Sequence, residues 1–138
     1  MISRATAKEF LHLREWLARA QEIVDAGQAA YDASALLQEA GDSLMMKIGQ
    51  AAKRLDRAGI KAPKGVNWSD GVSNRNWLIH QYDEIDRNIT WAILTTSLPA
   101  WAKALQPAFE EAAGVASPSD GSAESRSAVM RKKPFGPD

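Results

Sequence analysis

Four polar residues within one short stretch of the chain have side chains that could act together on a phosphodiester. Trp68 to Tyr82 reads WSDGVSNRNWLIHQY and contains Arg75, Asn76, His80 and Tyr82. At about 100° per residue, Arg75 and Tyr82 almost eclipse one another, and Asn76 and His80 are neighbours one turn apart. The spacing therefore predicts that the four polar groups share one broad side of a helix.

These residue types suit the cleavage of RNA. A histidine can take up and return a proton near pH 7, and a guanidinium matches phosphate oxygens with two parallel donors. Cleavage beside a 2′-hydroxyl requires both, because the hydroxyl loses a proton while the phosphorane gains negative charge. A symmetric dimer could bring a second His80 to the same cleft. As a bare pattern, most pairs such as Arg75 and His80 are explained by surface salt bridging and a boundary histidine.

Composition limits the other kinds of site. The 138 residues include no cysteine and only two histidines, which excludes thiolate metal sites and argues against a histidine metal cluster. The 17 basic and 17 acidic residues cancel, so nucleic acid has to be bound by a local patch. The best such patch comprises Lys53, Arg54, Arg57, Lys61 and Lys64. These residues also complement the dipole at the end of a helix, which is the default interpretation.

The chain shows no pattern typical of export or membrane insertion. Its first thirty residues interleave charged and apolar positions, unlike a signal peptide. No apolar run approaches the ~20 residues that a membrane span needs. We therefore expect a cytoplasmic protein that makes no membrane contact.

Helical periodicity runs through most of the chain. It predicts a first helix over Ser3 to Ala26, a second over Ala33 to Ala58, and a short third helix capped by Asn67. A fourth segment has Asp83 as its candidate cap, and a fifth starts at Pro99. The predicted buried stripes are Phe10, Leu13, Leu17, Ala20 and Val24; Leu37, Gly41, Leu44, Ile48, Ala51 and Leu55; Ile85, Ile89, Ala92 and Thr96; and Trp101, Leu105, Ala108 and Ala112.

These elements predict a single all-α domain, a compact helical bundle over residues 1–115. From Ala116 to Asp138 the chain is rich in Ser, Gly and Pro and poor in large apolar residues, which predicts a disordered tail. The five tryptophans and the long apolar seams offer more apolar surface than a small monomer easily hides. A homodimer that shares a helix face is therefore expected.

The stretch RNWLIHQY, Arg75 to Tyr82, resembles the motif of the HepT branch of the HEPN superfamily: Arg, four residues, His, one residue, Tyr. IGQAAKRL, Ile48 to Leu55, and DEIDRNITWAILTTSLPAW, Asp83 to Trp101, are similar to further blocks of that branch. The resemblance covers roughly residues 8 to 110. It departs from the family at Gln50, where many relatives carry glutamate, and at Ser73-Asn74, which replaces a short glycine-containing link.

The resemblance implies a four- or five-helix, up-and-down HEPN bundle that dimerises with its two motifs facing one cleft. It implies a metal-independent endoribonuclease, the toxin of a toxin–antitoxin pair. Arg75 would bind and stabilise the scissile phosphate, and His80 would transfer the proton. Asn76 would orient the histidine or the substrate.

The resemblance also implies a partner, a minimal nucleotidyltransferase antitoxin of the MntA type. That partner would use ATP and Mg²⁺ to attach AMP to Tyr82, whereas the chain itself would need no cofactor. The added phosphate would compete with RNA for the nearby arginine. The alternative is a non-catalytic helical partner that presents Tyr82 to a nucleotidyltransferase and cuts nothing.

Overall fold

The computed structural model describes residues 2–81 and 83–116, and all regular secondary structure within them is helical. The elements are α1 (Arg4–Asp25), α2 (Gln28–Ala33), α3 (Ala35–Arg57), α4 (Trp68–His80), α5 (Arg87–Ala92), a π-helical turn (Ile93–Ser97), α6 (Leu98–Ala104) and α7 (Gln106–Ala116). The last four follow one another almost without interruption, so the fold is a bundle of a few long helical segments. This confirms the predicted all-α class and the HEPN-type bundle.

Side-chain caps determine where four of the helices begin. Ser3, Ser34 and Asn67 accept hydrogen bonds from the backbone N–H groups of Thr6, Leu37 and Ser69 at 3.0–3.1 Å. The predicted Asn67 cap is thus confirmed. The predicted Asp83 cap is wrong, because the chain turns through residues 83–86 and Asp86 accepts from the N–H of Asn88 at 2.9 Å.

The predicted second helix is confirmed as α3, and the short helix α2, which the sequence did not indicate, precedes it. Gly27 has a positive φ of 95°, which ends the path of α1 and lets the short α2 turn away. Ser34 then takes an extended conformation, with φ −124° and ψ 108°, and caps α3. The long helix therefore starts at Ala35, two residues later than predicted.

The core is formed mainly by the stripes that periodicity indicates on α1 and α3. Every predicted residue of these two stripes is buried except Val24 and Leu37, which are partly buried at the edge. In the last segments, Trp101, Leu105 and Ala112 are buried as predicted, and Phe109 takes the place expected for Ala108. None of the described helices is long and apolar enough to cross a membrane.

The stripe predicted for the fourth segment is wrong. Ile89, Ala92 and Thr96 are exposed and Ile85 is only partly buried, whereas the chain buries Thr90, Leu94 and Leu98. Thr90 can be buried because its hydroxyl lies 2.6 Å from the Tyr31 hydroxyl, which satisfies both polar groups. The helix is therefore rotated so that a polar residue, rather than the isoleucines, faces inward.

The boundary of the predicted tail falls at the end of α7. Ala116 is the last residue of this helix, one position beyond the predicted domain end. Residues 117–138 lie outside the described residues, so the disordered tail stays a prediction.

Candidate functional site

Two glycines bring α3 and α4 into backbone contact. A Cβ atom added at Gly49 would lie 2.6 Å from the Arg75 Cβ and 2.6 Å from the Gly71 carbonyl oxygen. One added at Gly71 would lie 3.3 Å from the Ala52 Cβ. The pairing of Gly49 with Arg75 and of Ala52 with Gly71 shows that the two helices run antiparallel. Since no side chain separates them, α3 holds the Arg75 backbone at a fixed place.

Arg75 is partly buried and borders an open groove of about 540 Å³. The remainder of the groove is lined by α3 residues: Glu39, Asp42, Ser43, Met46, Lys47 and Gln50. Within the described residues, the guanidinium makes no ion pair, and its one hydrogen bond is a long one of 3.4 Å to the Asn76 carboxamide oxygen. The cation is therefore available to a phosphate that enters the groove.

Asn76 and His80 are exposed on α4, and neither is among the residues that line the groove. Relative to Arg75, they are rotated by about 100° and 140° in the same direction around the helix axis. On the antiparallel α3, Met46 and Gln50 are rotated from Gly49 toward this same side. His80 is the last residue of α4. The structure thus places three of the four predicted side chains on one helix, α4; Tyr82 lies outside the described residues.

The predicted basic patch is divided between two roles. Arg54 donates two hydrogen bonds to Glu9 on α1, both at 2.9 Å, and this contact raises the pKa of the arginine. Lys53 and Arg57 instead lie on the groove side of α3 and extend the positive charge beyond Arg75. Lys61 and Lys64 are exposed in the loop that leads to α4. Binding of RNA by these residues stays a prediction.

A polar network that the sequence did not indicate anchors the chain after His80. Arg87, the first residue of α5, donates to both carboxylate oxygens of Asp42 at 2.8 and 2.9 Å and to the Tyr31 hydroxyl at 3.2 Å. The hydrogen bonds to Asp42 raise the pKa of Arg87, although partial burial acts in the opposite direction. Because Asp42 borders the groove, the network ties the start of α5 to the helix that supports Arg75. The partners are at least 45 residues apart in sequence, so no local signal could reveal them.

Across residues 2–81 and 83–116, no three side chains of His, Asp or Glu are grouped so as to hold a metal ion.

The family model described as Ribonuclease HepT-like matches residues 13–108, which is more than half of the chain. The chain therefore belongs to the HepT-like ribonuclease family, which confirms the family predicted from the sequence. No curated protein and no solved structure matches it.

Proposed function

We propose that this protein is a metal-independent endoribonuclease of the toxin type, with Arg75 and His80 as its catalytic residues. The observation that carries the proposal is the Arg75 guanidinium, which borders a groove beside α3 and, within the described chain, has no carboxylate partner. Membership in a ribonuclease family supports the same reaction class. Lys53 and Arg57 on the same side of α3 would hold the flanking phosphates.

The proposed reaction is an attack by the RNA on its own backbone. His80 removes the proton of the 2′-hydroxyl, the 2′-oxygen attacks phosphorus, and the bond to the 5′-oxygen breaks. Arg75 stabilises the negative charge of the phosphorane with its paired N–H donors. The departing 5′-oxygen takes a proton from a second acid, so the products are a 2′,3′-cyclic phosphate and a 5′-hydroxyl. Asn76, which contacts the guanidinium, orients Arg75.

A second copy of the chain would supply the second acid. Two large apolar side chains flank the groove and remain exposed, Met46 at 38% and Ile79 at 41%. Leu36, at 76% exposure, lies further along the outer side of α3. Exposed apolar residues beside polar ones are typical of an interface. A symmetric dimer across this face would cover them and bring two His80 side chains to one cleft.

We expect the purified, unmodified protein to sediment as a dimer and to cut RNA in excess EDTA. The measurement is the size of the products together with the chemistry of their ends. Cyclic phosphate ends are expected, because no metal-activated water takes part. A dimer that leaves RNA intact would contradict the proposal and favour the non-catalytic partner of a nucleotidyltransferase.

We further expect a cognate nucleotidyltransferase to silence cleavage by adding AMP to Tyr82. A phosphodiester carries a negative charge, and near Arg75 it would compete with RNA for that cation. Mass spectrometry after co-expression should show one added AMP per modified chain, and none on Tyr82→Phe. Full silencing of Tyr82→Phe by the same active partner would show that another residue or mere binding is responsible.

A further inference from the structure

A second cavity, of about 340 Å³, lies on the side of α4 opposite the Arg75 groove. Its floor is apolar and includes Met45, Ile48, Leu98 and Trp101. Its rim is polar and consists of Asp70, Ser73 and Asn74 from α4 and Ser97 from the π-helical turn. An apolar pocket with a few converging polar groups is the usual form of a small-ligand site.

Two features of the backbone create this cavity. The indole of Trp101 reaches α4 only because residue 71 is glycine, since a Cβ there would lie 2.8 Å from the indole Cη2 atom. The indole thus forms a wall, and Trp68 supports it from behind in an edge-to-face contact with ring centroids 5.8 Å apart. The π-helical turn adds a wider turn of backbone next to Leu98, a feature that is frequent at functional sites.

The polar rim is free to bind a ligand. Among the described residues, no hydrogen bond or ion pair involves the side chains of Asp70, Ser73, Asn74 or Ser97. Asp70 is exposed, so its carboxylate offers two acceptor oxygens at the mouth. The carboxamide of Asn74, which is partly buried, offers both a donor and an acceptor beside it.

We propose that this cavity binds one guanine base of the RNA substrate. This proposal rests on the proposed ribonuclease function. Guanine is the one standard base with two adjacent N–H donors on a single edge, and these match the two oxygens of the Asp70 carboxylate. Adenine, cytosine and uracil present a single donor group there. The apolar ring would pack against the Trp101 wall, as unstacked RNA bases do in many single-strand readers. Asn74 would donate to the guanine carbonyl.

The position of the cavity fits a base close to, but not at, the cleaved bond. Ser73 and His80 are seven residues apart and therefore lie on the same line of α4, separated by about 10 Å along the helix axis. Ser73 and His80 are both exposed, so an RNA strand can pass over the outer face of α4 from one to the other. The cavity would thus determine which phosphodiester bond of the RNA the protein cuts.

The test compares RNA binding by the His80→Ala protein for oligonucleotides that contain guanosine or inosine at one position. Inosine lacks the 2-amino group, so one hydrogen bond to Asp70 is lost and binding should weaken by about tenfold. Asp70→Asn, in the same His80→Ala background, should bind both oligonucleotides equally. Asp32→Asn is the control, because Asp32 is exposed on α2, outside the cavity lining. Equal binding of the guanosine and inosine oligonucleotides by the His80→Ala protein that retains Asp70 would overturn the proposal.

A second measurement separates this proposal from the ribonuclease function. Guanosine monophosphate added to the wild-type protein should shift the NMR signals of the Gly71 amide and the Trp101 indole, and adenosine monophosphate should not. These shifts are expected whether or not the protein cuts RNA. Absent or base-independent shifts in a protein that does cut RNA would refute the guanine site and leave the nuclease intact. Guanine-specific shifts in a protein that does not cut RNA would support the guanine site and contradict the proposed ribonuclease function.

Discussion

His80→Ala is expected to lower the rate of RNA cleavage by about 10²- to 10⁴-fold, the usual effect of removing a group that transfers a proton. The residue is exposed at the end of α4 and has no hydrogen-bond partner among the described residues, so its loss should not alter the fold. Initial rates with an end-labelled RNA in excess EDTA measure the effect. Thermal unfolding should give the same midpoint for both proteins.

The matched control is His12→Ala, which removes the other histidine of the chain. His12 is exposed on α1 and stacks on Trp16, with ring centroids 5.6 Å apart. It contributes to no part of the groove, so its replacement should leave the cleavage rate within about twofold of wild type. If both variants cut RNA at the wild-type rate, His80 does not transfer the proton and another residue must be sought.

Gly49→Ala is expected to lower the free energy of unfolding by about 1–3 kcal/mol, the usual cost of overpacking a well-filled interior. The new methyl group would lie 2.6 Å from the Gly71 carbonyl oxygen, and backbone cannot rotate away as a side chain can. The helices must separate, which moves Arg75 away from the groove. We therefore expect a loss of cleavage as well, even though every proposed catalytic side chain is still present.

Gly114→Ala provides the comparison at a glycine without neighbours. Gly114 lies in α7, and nothing is found within 4 Å of a Cβ built there. Alanine is the better helix former, so this variant should be about 0.5–1 kcal/mol more stable than wild type. Urea unfolding measures the free energy of unfolding of the Gly49→Ala and Gly114→Ala proteins. A Gly49→Ala protein as stable as wild type would mean that α3 and α4 are not in the close contact described.

The sequence predicted the long helices well, because each depends on local spacing. The burial of Leu44, Ile48 and Leu55 can be predicted from the repeat of an amphipathic helix alone. The cap formed by Asn67 can be predicted from its position just before a helical segment. The position of Arg75 on one helix with His80 follows from the same arithmetic.

Features that depend on distant residues were missed for a physical reason. The sequence does not indicate the roles of Gly49 and Gly71, since the role of a glycine in a helix depends on the element that packs against it. The network of Arg87 with Asp42 and Tyr31 likewise joins residues far apart in sequence. The sequence groups Arg54 with the basic patch, since its partner Glu9 lies on another helix, 45 residues away.

The π-helical turn limits where this chain can accept an inserted or deleted residue. Thr90 before the turn is held by the buried Tyr31 hydroxyl, and Trp101 after it is held against Gly71. Inserting or deleting one residue in Ile93–Ser97 would rotate one end by about 100° against the other. Either the hydroxyl pair or the indole wall would then be lost. Variation in length should therefore be tolerated in the loop of residues 58–67 and rejected within the π-helical turn.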